Sequence, residues 1–520
     1  MRTGIPIHLQ PRSAIPLYRQ LQDQLRALVH SGELRPGDRI PASRELAQQL
    51  RVHKTTVMNA YADLEAEGII QGYVGRGTYI KAGHEREFTP PPRPVGGPVR
   101  WDALFADERT NWDGLSRLMP KIPDGAIAFV NAQASVEFFP VEEVRSCASA
   151  VLKREGREIL QLGASDGYSP LRHVLFERLR SEGIAVKEHQ LLITDGCQQS
   201  LDLLAKAFLR PGDAVLVENP AYPGVLSILS ASRVRCLPAA VETHGGPVAR
   251  QGLDLKAAEA VLHQNRVKLI LVTPDFQNPT GTTMSLEQRQ RLLTLAAQHQ
   301  VPIVEDHIYA RLRLRGKSLP SLKALDREGI VIQIDSFSKI AFPGLRVGWC
   351  IGPEAVIERL RILKQSSDLH TDQLAQATLA EFMKRRSFDV HLKQMVKVYA
   401  KRLAVVEKSL ERHFPGGTDW TQPEGGLSVW VTLPAGLDAG EMLIHARERG
   451  VVFVPGRYFY FQNPQPNTLR LGFAGLNEKE ISRGIATLGH MLVEEMKKRE
   501  RGAKPEVRIR GEEASRVALV

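Results

Sequence analysis

DSFSKIAFPGLRVGWC, residues 335–350, sets one lysine, Lys339, between two serines and an apolar run, seven residues before Arg346. Surface lysines are commonplace, so the surroundings decide what this one means. It follows GIVIQI, one of four short, β-branched-rich and nearly continuous apolar runs; the others lie in DAVLVENP, KLILVTPDF and VPIVEDH. Runs of this kind predict strands covered on both faces, and their alternation with helical segments predicts a parallel α/β sheet. In such a sheet, ligands bind outside the carboxyl ends of the strands. The residues just after each run are therefore the candidate site.

A chain of 520 residues is too long for one core and predicts two or three domains. Hydrophobic content of 43% and charged content of 24% are those of a soluble globular protein. Cys147, Cys197, Cys236 and Cys350 lie far apart without a C-x-x-C pair, which excludes a disulfide framework and a zinc site and fits a reducing cytoplasm. The N-terminus has no apolar signal region and no long apolar stretch follows, so neither export nor membrane insertion is expected. The net charge of +11 suits a polyanionic partner.

The chain reads as four segments: a small, mostly helical unit at 1–82, a connector at 83–118, the α/β region at 119–496 and a basic tail at 497–520. Four of the five residues 90–94 are prolines, which predicts an extended, semi-rigid linker. The last stretch, MKKRERGAKPEVRIRGEEASRVALV, carries eight basic and four acidic residues without apolar period. It reads as a fraying helix followed by disorder.

In the first unit, PLYRQLQDQLRALVHSGEL places Leu17, Leu21, Leu25 and Leu28 on one helical face. RPGDRIP ends that helix, SRELAQQL predicts a second, and KTTVMNAYADLEAEG a third after the tight connection RVH. Helix, short turn, helix is the geometry that presents one helix to a major groove. Lys54, Thr55 and Thr56 open the third helix with a charge and hydroxyls suited to phosphates and base edges. IIQGYVGRGTYI reads as two strands joined by a Gly-Arg-Gly turn that carries Arg76 at its tip. Residues 14–80 resemble the winged helix-turn-helix of GntR-type regulators through PASRELA, TTVMNAYADLEAEG and GRGTYI. The resemblance implies a double-stranded DNA operator contacted by Ser43, Arg44, Lys54, Thr55, Thr56 and Arg76. Ala42 stands where a serine would cap the second helix with Glu45, and Ser43 is expected to cap instead.

The strand ends of the large region are unusual. After LLIT comes DGCQQSL, where Gly196 leads into a helix and the amides of Cys197 and Gln198 are offered to an anion. ENPAYPG holds Tyr222 beside prolines, DFQNPTG holds Asn278, and EDHIY holds Asp306 and Tyr309. Each alone has an ordinary structural reading as a turn, a cap or packing. Together they describe a flat, anionic, nitrogen-containing aldehyde: a lysine for its carbonyl, an aspartate for a ring nitrogen, an aromatic ring to stack, and serines, amides and an arginine for a phosphate. That ligand is pyridoxal 5'-phosphate.

From about 125 to 490 the chain resembles a fold-type I aminotransferase, because TDGCQQSL, ENPAYPG, NPTG, EDHIY, SFSK-x6-R and LRLGF stand in that family's order. The resemblance implies that Lys339 forms the aldimine, Asp306 partners the pyridine nitrogen, Asn278 and Tyr309 bind O3′, and Tyr222 stacks on the ring. It assigns Ser336, Ser338, Arg346 and the amides after Gly196 to the phosphate, and Arg470 to a substrate or effector carboxylate. No metal is expected. Leu162 departs from the pattern by standing where a tyrosine would reach the partner subunit's phosphate.

A GntR-like reader, a proline-rich linker and an aminotransferase-like domain, in that order, resemble MocR-type regulators over the whole chain. The resemblance implies a cytoplasmic homodimer that binds DNA and senses an amino compound through the Lys339 aldimine. The rival reading is a working aminotransferase with an accessory DNA-binding domain.

Overall fold

The computed structural model describes residues 5–11, 13, 15–73, 77–81, 122–243 and 252–500. The chain divides into two compact units, Met1–Ala106 and Asp107–Val520. The proline-rich connector, the wing tip with Arg76, and residues 501–520 of the tail lie outside the described residues.

The small unit is built from helices Leu17–His30, Ser43–Leu50 and Lys54–Ala66 and a three-stranded sheet. Leu21 and Leu25 meet Leu46, Val57, Ala60, Tyr61 and Leu64 in one core, the three- and four-residue spacing turning each set inward. Tyr61 keeps its hydroxyl satisfied by donating to Pro41 O at 2.8 Å. Arg26 and Gln22 both reach Glu67, at 3.0 and 2.8 Å, and tie the first helix to the end of the third. The wing strands Ile70–Tyr73 and Gly77–Ile80 pair antiparallel, and Arg39–Ile40 adds a third strand that the sequence reading did not foresee. Two residues are too few to show a period.

One expectation fails here. Ser43 is the first residue of its helix rather than its cap; Ala42 occupies the cap, and no side chain satisfies the helix end. The third helix is capped by an unexpected group, His53, whose Nδ1 accepts from Thr55 N at 3.4 Å and pairs with the Thr55 hydroxyl.

In the large unit an eight-stranded sheet runs, in spatial order, Leu191–Thr194, Gly348–Ile351, Val331–Ser336, Ile303–Asp306, Val267–Val272, Ala214–Asn219, Arg235–Glu242 and Gly252–Leu253. The strands of the four quoted runs are parallel to one another, as expected. Gly348–Ile351 instead runs antiparallel to both neighbours. Residues 337–347 are too few for a crossover, so the chain can only turn back beside the strand it has left. Gly348 makes this possible, because a Cβ there would lie 2.7 Å from both Asp335 O and Gly196 Cα. A second, four-stranded antiparallel sheet holds Ser428–Thr432 beside Thr468–Gly472, with Trp430 opposite Arg470. The last described helix, Glu478–Glu500, packs on the long helix Ser387–His413.

Leu64 is fully buried at the centre of the small unit. Leu64→Ala should therefore cost that unit about 2–5 kcal/mol. In urea unfolding, the far-ultraviolet signal of the small unit should move to lower denaturant. The fluorescence of the buried Trp349 and Trp430 in the large unit should not.

Candidate functional site

The strand ends converge on a cleft lined by Cys197, Gln198, Tyr222, Thr273, Asn278, Asp306, Ile308, Tyr309, Ser338, Lys339 and Arg346. Nine of the candidates named from sequence are among these residues. Ser336, Gly196 and Arg470 adjoin them. Ser336 Oγ lies 2.9 Å from Ser338 Oγ and also meets Val347 O at 3.1 Å. A Cβ on Gly196, whose φ is +94°, would sit 3.2 Å from Arg346 Nη2 and 3.6 Å from Ser336 Oγ. Arg346 Nη2 donates to Asp195 O at 2.9 Å, beside the start of helix Cys197–Phe208, which no side chain caps. Gly196, the two serines, Arg346 and that helix start form a cradle open to an anion.

Lys339 is 3% exposed, and no hydrogen bond or ion pair among the described residues engages its ammonium. Burial lowers its pKa to about 8, and the Arg470 cation adds to the effect. A larger fraction is therefore free amine near neutrality than in an ordinary lysine. At the end of its strand, Asp306 accepts from Ile308 N at 3.1 Å, yet burial pushes its carboxyl up to about 7. Asn278 Nδ2 donates to the Tyr309 hydroxyl at 3.4 Å, and Asn278 Oδ1 accepts from Arg470 Nη1 at 2.9 Å. Tyr222 opens helix Pro223–Ala231, and its hydroxyl lies 3.4 Å from Gln198 Oε1.

Arg470 reaches this group from the second sheet. It is 5% exposed, donates through Nη2 to Val130 O at 2.7 Å, and leaves its buried Nε without a partner. Burial lowers its pKa, since no carboxylate among the described residues pairs with it. An anionic ligand would fill that vacancy in the charge balance.

Sequence reasoning missed part of the site. Thr273 and Ile308 line the cleft, one and two residues beyond a strand, where the same rule that found Asn278 applies. Behind them lies a buried charge network. Asp335, fully buried, accepts from His307 Nδ1 at 3.1 Å, from Ser336 N at 2.7 Å and from Arg311. Burial alone would raise its pKa, but Arg311 and His307 outweigh burial and leave it lowered. Glu218, fully buried beside Gln277 at 3.2 Å, is pushed up to about 8 by burial.

The other candidates lie on the small unit. Arg44, Lys54 and Thr55 are exposed, Ser43 and Thr56 half-buried, and Arg76 is outside the described residues. Leu162 is 77% exposed on the large unit and is not among the residues that line the cleft.

This fold and this lysine-centred cleft are those of an aminotransferase-like domain. Residues 134–488 match the family model for aminotransferase class I and II, and the chain belongs to that family; residues 17–80 match that of the bacterial regulatory proteins of the gntR family. The regulator TauR of Rhodobacter capsulatus is 32% identical over 91% of this chain and 96% of its own. The probable rhizopine catabolism regulatory protein MocR of Rhizobium meliloti is 29% identical over 91% and 93%. The crystal structure of the α-aminoadipate aminotransferase LysN of Thermus thermophilus, complexed with N-(5'-phosphopyridoxyl)-L-leucine, superposes with a TM-score of 0.69. It is 33% identical and covers 77% of this chain and all of its own. The family is pyridoxal-phosphate-dependent, and the residues here fit the group: a buried amine without a partner among the described residues, a cradle of anion donors and an orphaned arginine donor. The gntR-type unit is a DNA-binding one, and among the described residues no helix is long and apolar enough to cross a membrane.

Asp306 gives a pH signature. An unfolded aspartate loses its proton near pH 4, whereas Asp306 holds its own to about 7. Between these values the folded protein binds more protons than the unfolded one, so this group lowers stability as pH rises. In cofactor-free thermal melts, Asp306→Asn should gain on the parent protein across that window and level off above it.

Proposed function

We propose that the chain is a pyridoxal-phosphate-dependent transcription regulator: a cytoplasmic homodimer that binds operator DNA through the small unit and senses a small amino compound at Lys339. The observation that carries the reading is the joining, in one chain, of a gntR-type reader to a cleft whose lysine amine is buried and unpaired. Two relatives matched along nearly their whole length bear regulator names. Exposed Val136, Val141, Leu160 and Leu162, close in sequence, are apolar surface that a second copy would cover.

Each residue has a task in this reading. Pyridoxal phosphate supplies, when bound, a carbonyl that amines attack and a ring that draws electrons. Lys339 offers the amine that competes with an incoming amino compound for that carbonyl. Asp306 holds a proton at the ring nitrogen, Tyr222 covers the ring face, and Asn278 with Tyr309 orients the ring's hydroxyl. Gly196, Ser336, Ser338, Arg346 and the amides of Cys197 and Gln198 hold the phosphate. Arg470 gives the amino compound's carboxylate a charged donor, its Nε being free for it. On the small unit, Ser43, Arg44, Lys54, Thr55, Thr56 and Arg76 meet the DNA. The effector changes DNA affinity only as far as it binds two conformations unequally, typically by about 1–3 kcal/mol.

A second reading, a turning-over aminotransferase with an accessory DNA reader, is favoured by the 33% identity to LysN and by the intact set of cleft residues. The two separate in one experiment. Cofactor-loaded protein is mixed with a panel of amino acids, with and without a keto acid, while its visible absorbance and its affinity for DNA are followed. The regulator predicts a spectral shift, no repeated turnover, and a change in DNA affinity of about 5–150-fold. Sustained turnover without any change in DNA affinity selects the enzyme. An effector response that survives Lys339→Ala removes the sensing role.

A further inference from the structure

At the edge of the large sheet opposite the cleft, the first residues of three adjacent strands surround an open groove lined by Gly212, Asp213, Ala214, Arg235, Arg266 and Lys268. Ala214 is in register with both Arg235 and Val267, so these strand starts lie side by side. Arg210 and Arg233 stand at the same edge: Gly212 N donates to Arg233 O at 2.9 Å and Arg235 N to Asp213 O at 2.8 Å. All five basic side chains are exposed.

Their surroundings leave the charge uncompensated. On nearby helices, Lys206 pairs with Asp202 at 2.7 Å and Arg291 with Glu259 at 2.9 Å. Among the described residues no ion pair includes Arg210, Arg233, Arg235, Arg266 or Lys268. The one carboxylate in the groove, Asp213, is occupied by Arg210 N at 2.8 Å. Helix carboxyl ends also point to this edge, and arginines often serve there as caps. Arg449 does so elsewhere, donating to His445 O at 3.3 Å. Among the described residues the five basic side chains here make no such bond, and their one side-chain hydrogen bond is Arg235 Nη2 to Asn265 Oδ1 at 3.1 Å, which steadies that guanidinium in the groove.

We propose that this edge is a second DNA-contacting site, one that grips the phosphodiester backbone without reading sequence. The proposal rests on the DNA-binding reading of the small unit. Strands about 4.8 Å apart put Arg235 about 10 Å from Arg266 and Lys268, a spread that matches several phosphates of a duplex rather than one. The linker keeps any duplex held by the reader at high effective concentration for such a site, so weak individual contacts suffice. The six-residue strand Ala214–Asn219 separates this edge from the cleft by about 20 Å. Substitutions at the edge should therefore spare the cofactor.

The test uses full-length, cofactor-loaded protein and a random-sequence duplex of about 60 base pairs, with binding measured across a salt series. Arg235→Ala/Lys268→Ala should reduce the slope of log affinity against log salt by about 2 and weaken low-salt binding by about tenfold. Its visible cofactor spectrum and melting temperature should match the parent's. Arg44→Ala/Lys54→Ala, on the reader, should also lower affinity. An unchanged slope in the edge variant, with the reader variant weakened, overturns this proposal alone. An unchanged slope in the reader variant overturns the DNA-binding reading on which it rests. Binding of inorganic triphosphate at the edge, with the DNA slope unchanged, would assign the groove to a small anion and also overturn it.

Discussion

A lysine ammonium with 3% of its surface exposed and no hydrogen bond or ion pair among the described residues is costly to keep charged, because desolvation of an unpaired ion amounts to several kcal/mol. The fold bears this cost at Lys339 and compounds it by burying Arg470 nearby, also without a carboxylate. Both cations shed part of the cost by lowered pKa values, and both are relieved by a ligand that brings negative charge. The rest of the large unit is arranged around this imbalance. The strand that ends in Ser336 delivers the lysine, its parallel neighbour delivers Asp306, and the second sheet delivers the arginine.

The buried acids obey the same logic with opposite outcomes. Asp335 has Arg311 and His307 against it and stays below the usual carboxylate range despite full burial. Asp306 has a single backbone amide and rises to about 7. Asp306 also feels His307 and Lys339, but neither is hydrogen-bonded to it; the difference lies in the direct contacts that Arg311 and His307 make to Asp335. Residues 305–311 supply both Asp306 and the partners of Asp335.

Much of this was legible in the sequence. The apolar runs ending at Val272, Asp306 and Ser336 are parallel strands because helical segments carry the chain from the first to the second and from the second to the third, and a sheet of that class fixes where to look for ligands. Lys339, Asp306, Tyr309, Asn278 and Tyr222 could be found by that rule, and they do meet in one cleft. What was not legible depends on contacts between segments distant in sequence. The reversal of Gly348–Ile351 needs the close approach of Gly348 to Gly196; the Asn278–Arg470 bond joins residues from two sheets. The cap on the third helix of the reader went unread because a histidine, rather than the serine or aspartate of common experience, performs it.

The antiparallel return of Gly348–Ile351 has a metric consequence. Strands that lie side by side and run in opposite directions fix the separation of the loop ends between them, here Ser336 and Gly348, at one strand spacing. Lys339 and Arg346 both belong to that loop, each near one end. The span from amine to guanidinium is thus set by backbone pairing rather than by flexible side chains alone. On the proposed assignment of Lys339 to a carbonyl and Arg346 to a phosphate, this loop would gauge ligand length, admitting the two groups together only on a molecule that matches a distance dictated by the sheet.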